Sequence, residues 1–288
     1  MKRLKSLAIL SAFTGVIFFS CIPKPLDIEI ASAETKLVVS SQVIPNATMI
    51  VTLSKSFGAL SFNEDNGDTT GQELLDQLLV DSAIITISYT GFVDTLYPIP
   101  GAPGLYASIG TPTILNADYT LNIYDPGLDQ TIWSTAKMLE QVQFDSVSAI
   151  LDTTGTFSYT DVTYSFQDLL GDNYYMVNFY SESNDSVQSG SPFSAGQNIP
   201  TETLLLNDQL FSGSYSDTHR LWNWEEDTLF VSISNISQEY YEYLELRQKS
   251  GNFFTDLVKE PINYPSNIEG GYGYFTTHFP DVKLVTIP

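Results

Sequence analysis

Few side chains in this 288-residue sequence could carry covalent or acid–base chemistry, and most of them stand apart. The two histidines are His219 and His278. His219 closes the run GSYSDTH at 213–219, which brings hydroxyls, a carboxylate and an imidazole together in sequence. A hydrolytic triad draws its members from separate segments, and no G-x-S-x-G elbow is present, so this run reads as a polar loop. Glu225, Glu226 and Asp227 could act on a substrate only in a cleft that shifted their pKa values. Within WNWEEDTL they read more simply as a turn before a strand. No histidine pair has zinc-ligand spacing. The stretch NEDNGDTTG, from Asn63 to Gly71, is rich in hard oxygen donors that suit calcium. Taking Gly71 as the turn glycine of an EF-hand loop puts Thr70 at position 5 and Gln77 at position 12, which breaks that pattern. The acidic loop at 63–68 is therefore expected to be solvated. No catalytic residue, metal ligand or cofactor is assigned.

Cys21 is the single cysteine. Lys2, Arg3 and Lys5 precede the run LAILSAFTGVIFF, followed by Ser20 and Cys21. A cationic end, an apolar run and a small residue form the order of a secretory signal. The run is shorter than the roughly 20 apolar residues a membrane-spanning helix needs. Phe18, Phe19, Ser20 and Cys21 are similar to a bacterial lipoprotein box, in which the thiol takes a diacylglyceryl group and the small residue before it admits the peptidase. Residues 1–20 are expected to be a lipoprotein signal peptide, and Cys21 the site of lipid attachment. Several acyl chains, at about 0.8 kcal/mol per buried methylene, make a stable anchor.

The formal net charge is −22, from 12 basic and 34 acidic residues, and loss of the three N-terminal basic residues makes the remainder more acidic still. Such a surface repels phosphate backbones, so nucleic acid is excluded as a partner. Only 16% of residues are charged while 13% are aromatic. That balance points to an exported β-protein and not to a disordered acidic tail. A lone lipidated cysteine leaves no intrachain disulfide, so the fold must rest on its own core.

The elements that would position any site alternate with a period of two. Met49, Val51 and Leu53 share a face, as do Ala83, Ile85, Ile87 and Tyr89, and again Tyr119, Leu121 and Ile123. SYTDVTYSF, NYYMVNFYS and DTLFVSIS alternate likewise. This marks half-buried strands, with PGAPG and YDPG as turns. Two helices interrupt them. One is capped by Thr70 to Glu73 ahead of ELLDQLL; the other is SQEYYEYLELRQKSG, with Ser237 as N-cap and Gly251 as C-cap. The expected fold is all-β: a tether at 21–35, an immunoglobulin- or transthyretin-like β-sandwich at 36–137, and a second sandwich-like, β-rich domain at 138–288. The polar run at 181–198 reads as a long loop. In EGGYGYF, from Glu269 to Phe275, the glycines are expected to permit positive φ and close backbone approach between β-segments. Tyr174, Tyr175, Tyr240, Tyr241 and Tyr243 could form sugar- or peptide-binding platforms, but in a strand-rich chain most such rings are core or rim.

Several segments, in order, resemble one family. KLVVSSQV and VTLSKSFGAL resemble its opening strands, GLYAS and ADYTLNIYD the end of its first domain, and DNYYMVNFY, LLLNDQLFSG and SQEYYEYLELRQ the middle of its second. EPINYPSNIEGGYGYF resembles its closing motif. The family is that of the Bacteroidota lipoproteins catalogued as domain of unknown function 4249. The resemblance implies an outer-membrane lipoprotein, commonly encoded beside TonB-dependent receptor barrels. It implies no activity and supplies no catalytic residue. A non-enzymatic accessory or ligand-capture partner of such a transporter is the expected function. An autonomous glycan- or peptide-binding surface protein is the alternative, and a hydrolase using Glu225, Glu226 and Asp227 the third. The lysine in IPKPLD, where acidic residues often follow the cysteine of surface-exported lipoproteins, leaves the surface and periplasmic orientations both open. The ligand is not specified.

Overall fold

The computed structural model describes residues 34–44, 48–56, 78–108, 110–155, 157–181, 200–222, 224, 227–250 and 264–287. The signal peptide, Cys21, most of the tether, the capped helix after Thr70 up to Gln77, the acidic loop, the polar run after Ser181, Glu225, Glu226 and the Gly251 cap lie outside the described residues.

Alternation becomes strand throughout. The first half contains β1 (Leu37–Ile44), β2 (Thr48–Lys55), β3 (Ile84–Tyr89), β4 (Phe92–Pro98), β5 (Leu105–Ser108), β6 (Asp118–Asp125) and β7 (Gln130–Lys137). The second contains β8 (Phe144–Asp152), β9 (Tyr159–Gln167), β10 (Tyr174–Ser181), β11 (Glu202–Asn207), β12 (Ser214–Trp222) and β13 (Thr228–Ile236). The helix α1 (Gln238–Ser250) follows, then β14 (Tyr272–Tyr274) and β15 (Asp281–Thr286). As expected, Ser237 caps α1: its Oγ accepts the Tyr240 N–H at 3.2 Å.

Eight strands form one sheet in the order β14-β1-β2-β5-β4-β3-β6-β7. It doubles over at β4, which pairs with β3 along most of its length and with β5 only at Tyr97 and Pro98. The inward faces then meet around Leu37, Val39, Val51, Leu53, Ile85, Ile87, Tyr119, Leu121, Ile123 and Phe275. This is the first sandwich. The second places β11-β10-β13-β15 against β12-β9-β8, around Val162, Tyr164, Phe166, Tyr175, Val177, Phe179, Val231 and Ile233. The fold is therefore all-β with sandwich-like layers, as alternation predicts.

A division along the chain at 137/138 would give all later residues to the second sandwich. The closing run instead returns to the first. Ile268 and Phe275 are buried in the first core. Glu269 exchanges backbone hydrogen bonds with Trp133 on the free edge of β7, at 2.9 and 3.3 Å. Three residues later, β14 lies parallel to β1 at the other free edge. One short run thus pairs with the outer edges of both β1 and β7 and leaves neither of them fully unpaired. Polar side chains hold it. The Asn267 amide donates to Phe275 O at 2.7 Å and accepts the Phe275 N–H at 2.9 Å. Ser41 Oγ donates to Thr276 O and accepts its N–H.

The glycines make the clasp possible. Gly273 has φ +101°, and a Cβ there would overlap the Val39 carbonyl; at Gly271 it would come within 2.8 Å of Leu37 O. Both parts of the expectation for EGGYGYF, positive φ and close approach, are met, although the segment includes a paired strand.

Candidate ligand-binding face

Three of the strands around the second core, β8, β9 and β12, show their other face to solvent. Antiparallel register aligns their outward residues into rows. Trp222 stands opposite Tyr159, which stands opposite Asp152; Arg220, Asp161 and Ile150 form the next row. Thr218, Thr163 and Ser148 follow, then Ser216, Ser165 and Ser146. One end of the face is aromatic and charged; the middle rows carry hydroxyls, and beyond them Gln167 donates to Asp145 at 2.9 Å.

The aromatic end is tightly organised. Arg220 donates two hydrogen bonds to Asp161, at 2.7 and 2.8 Å, in the bidentate fork that fixes a guanidinium in its plane. That plane lies over the Tyr159 ring at 3.7 Å and reaches Trp222 at 5.6 Å. Tyr159 and Trp222 pack edge to face, with centroids 5.6 Å apart. The Tyr159 hydroxyl donates to Asp152 at 2.6 Å, and Asp152 also accepts the N–H and hydroxyl of Thr154. Trp222 remains 61% exposed, so the cluster holds a large ring rigidly and leaves it open to a ligand. In the hydroxyl rows, Thr163 pairs with Thr218 at 2.9 Å and Ser146 with Ser165 at 2.8 Å.

The charge states are fixed. Hydrogen bonds from Thr154 and Tyr159 pull the Asp152 carboxyl down to about 2, and the Arg220 bonds lower Asp161. The hydrogen bond to Asp152 raises the Tyr159 phenol. None of these groups is tuned toward neutrality, as a proton-transfer catalyst would be. The arrangement suits stacking and hydrogen bonding to a ligand: an aromatic plane, a guanidinium edge and carboxylate acceptors on an exposed sheet face.

The residues singled out in sequence fall elsewhere. The run at 213–219 is not a loop: residues 214–222 are β12, because Ser214 to Trp222 pairs in unbroken register with β9 and only Gly213, at φ +79°, supplies the turn. Strand alternation sends Ser216 outward and His219 toward the core side, so they cannot cooperate. His219 Nε2 lies 2.9 Å from Glu202 Oε1 on β11, and its ring stacks on Phe179 at 5.1 Å, which ties the two sheets together. His278 is buried beside Ser234, with Nδ1 2.9 Å from its Oγ. Burial pushes its pKa down to about 4, so it is neutral in the fold. Asp227 is exposed at the start of β13. Tyr175 is a core residue whose hydroxyl donates to Asp168 at 2.6 Å and accepts the Leu169 N–H. Tyr174 packs on Tyr241, and Tyr240 and Tyr243 pack on Tyr274. The structure brings none of these together as a site. Among the described residues, no group of three or more His, Cys, Asp or Glu is placed to hold a metal ion.

Sequence reasoning missed Tyr159, Arg220 and Trp222. The signal was present in SYTDVTYSF and SYSDTHRLW, whose outward alternate positions carry them, but only the pairing of those two strands puts them in contact.

Comparison with known proteins adds a family and little else. The profile of the family described as "Domain of unknown function (DUF4249)" matches residues 23–280. No curated protein matches. Among solved structures, the crystal structure of the FN1–FN3 domains of chicken CNTN1 is similar over 73% of this chain, at 7% identity and a TM-score of 0.23. The chain covers 61% of that structure's length.

Proposed function

This chain belongs to the DUF4249 family, and on that footing we propose that it is a non-enzymatic, lipid-anchored outer-membrane lipoprotein of the Bacteroidota type, serving as the ligand-capture partner of a TonB-dependent transporter barrel. The Trp222–Tyr159–Arg220–Asp161 cluster is the observation that carries the capture role. It holds a solvent-open ring and a guanidinium in fixed geometry, so little ordering entropy is lost when a ligand stacks there. The box ending at Cys21 supports the anchor, and the charge of −22 supports a partner surface that is neutral or basic. The test is recovery of the C-terminally tagged chain from native membranes in mild detergent. A stoichiometric transporter barrel that survives washing supports the reading, and a partnerless lipoprotein refutes the accessory role. The hydroxyl rows beside the cluster favour a second reading, an autonomous glycan- or peptide-binding surface lipoprotein. That protein would bind its ligand without a barrel.

A further inference from the structure

We propose that the outward face of β4-β3-β6-β7, on the first sandwich, is a second binding platform and that its ligand is a neutral, extended glycan chain. Register again sets the rows. Ile84 stands opposite Tyr124, and Tyr97, next beyond the Leu96–Ile85 pair, falls on the same line. Trp133 stands opposite Asn122 in the following row. Tyr97 is 68% exposed, Trp133 49% and Tyr124 39%. Two of the three are tied to neighbouring groups. Tyr124 donates to Asp129 at 3.2 Å, and the backbone of Trp133 is pinned by Glu269.

Beside the rings the outward positions are Ile84 and Val93, both exposed, and otherwise threonine, serine and asparagine. Thr86 lies between Thr95 and Asn122, and Ser88 between Val93 and Thr120. No outward residue in these rows is charged, in a chain with 34 acidic residues. Charges lie only at the ends of the rows: Asp118 opposite Lys137 beyond Thr120 and Thr135, and at the other end the exposed Asp129 that accepts the Tyr124 hydroxyl. A broad uncharged field on so acidic a chain selects a neutral ligand, because an anionic polymer is repelled and a cationic one finds no acceptor carboxylate within the rows. Protein-docking faces concentrate apolar anchors at their centre. Here only Ile84 lies between rings on the central strands, and Thr86, Ser88, Asn122 and Thr120 beside it match a ligand dense in hydroxyl groups. Strands lie roughly 4.8 Å apart, so Tyr97 and Tyr124 are about 10 Å apart across the sheet. That is about the span of two linked pyranose rings, whose C–H faces stack on aromatic planes.

The inference stands on this face alone and requires no transporter. The full chain, in a non-glycosidic detergent, is titrated calorimetrically with linear β-1,4-gluco-, manno- and xylo-oligosaccharides and an α-1,4-gluco-oligosaccharide, with polygalacturonate as the anionic comparison. At least one neutral chain is expected to bind. Tyr97→Ala and Trp133→Ala should each weaken it about tenfold, equivalent to ~1.4 kcal/mol. Leu170→Ala, an exposed residue far along the chain in the turn after β9, should leave it unchanged. Both rings are exposed, so the two variants should keep the parent's urea midpoint, which separates lost binding from lost folding. No binding of any neutral chain at millimolar concentration overturns the proposal, as does undiminished binding by both variants or a preference for polygalacturonate. Failure to recover a barrel would refute the accessory role and leave this result standing.

Discussion

Replacing Gly273 by alanine tests the clasp directly. Two costs arise at this position. The residue sits at φ +101°, where an L side chain is strained by about 1–3 kcal/mol. Its new Cβ would also overlap the Val39 carbonyl, so β14 must move away from β1. Moving it uncovers Tyr274 and Phe275, which are 7% and 0% exposed. Fully exposing one such side chain forfeits about 1.5–3 kcal/mol. Partial uncovering of both, added to the strain, gives an expected loss of about 3–6 kcal/mol, a large part of the ~5–15 kcal/mol that holds a typical domain. Gly91 supplies the comparison. It has a similar φ of +84°, in the turn between β3 and β4, but a Cβ there meets nothing within 4 Å. Gly91→Ala should therefore show the backbone strain alone. Gly110, with open space and no positive φ, should tolerate alanine within about 0.5 kcal/mol. Urea denaturation of the three variants gives the midpoints and slopes, and limited proteolysis at 264–280 reports detachment of the run. If Gly273→Ala costs no more than Gly91→Ala, the overlap with Val39 is not a real constraint and the clasp argument fails.

Other consequences can be measured on the same protein. His278 has a folded pKa of about 4 against 6.5 when unfolded, so the unfolded chain takes up its proton first as pH falls. Its contribution is intact above pH 6.5 and declines toward pH 4 by roughly 3 kcal/mol, and His278→Gln should flatten urea midpoints across that window. Tyr119→Phe removes a hydroxyl that donates to Pro112 O at 2.7 Å and accepts the Ile114 N–H at 2.8 Å. The loss should be about 1–2 kcal/mol, seen as a lower midpoint with an unchanged slope. Asp161→Ala frees the exposed Arg220 guanidinium; stability should change by less than about 1 kcal/mol, and a loss several times larger in thermal or urea unfolding would show that the pair is structural. Cys21→Ala should abolish metabolic palmitate incorporation and release the chain from the membrane fraction, and continued labelling would refute the lipid-box reading.

What the residues determined locally is what local patterning can encode. Period-two alternation marked Met49, Val51 and Leu53, or Tyr119, Leu121 and Ile123, as one buried face each, because apolar side chains on one side of a strand need only some core to face. Ser237 announced the start of α1, since an N-cap acts within three residues of itself. The glycines of EGGYGYF declared a close backbone approach without naming the partner, and the hydrophobic run ending at Cys21 carried its reading in consecutive residues. The tertiary structure alone decided which strand pairs with which. It set β14 against β1, and Ser41 against Thr276 across 235 residues, and so moved the run from Ile268 to Phe275 into the first core. It made 214–222 a strand by giving it β9 as a neighbour. It also assembled Trp222, Tyr159 and Arg220 into one platform and Tyr97, Tyr124 and Trp133 into another, because a row across a sheet belongs to the register of several strands. Alternation says only which way a side chain points. Register is chosen by the summed packing of segments far apart in sequence, and both candidate binding faces exist only at that level.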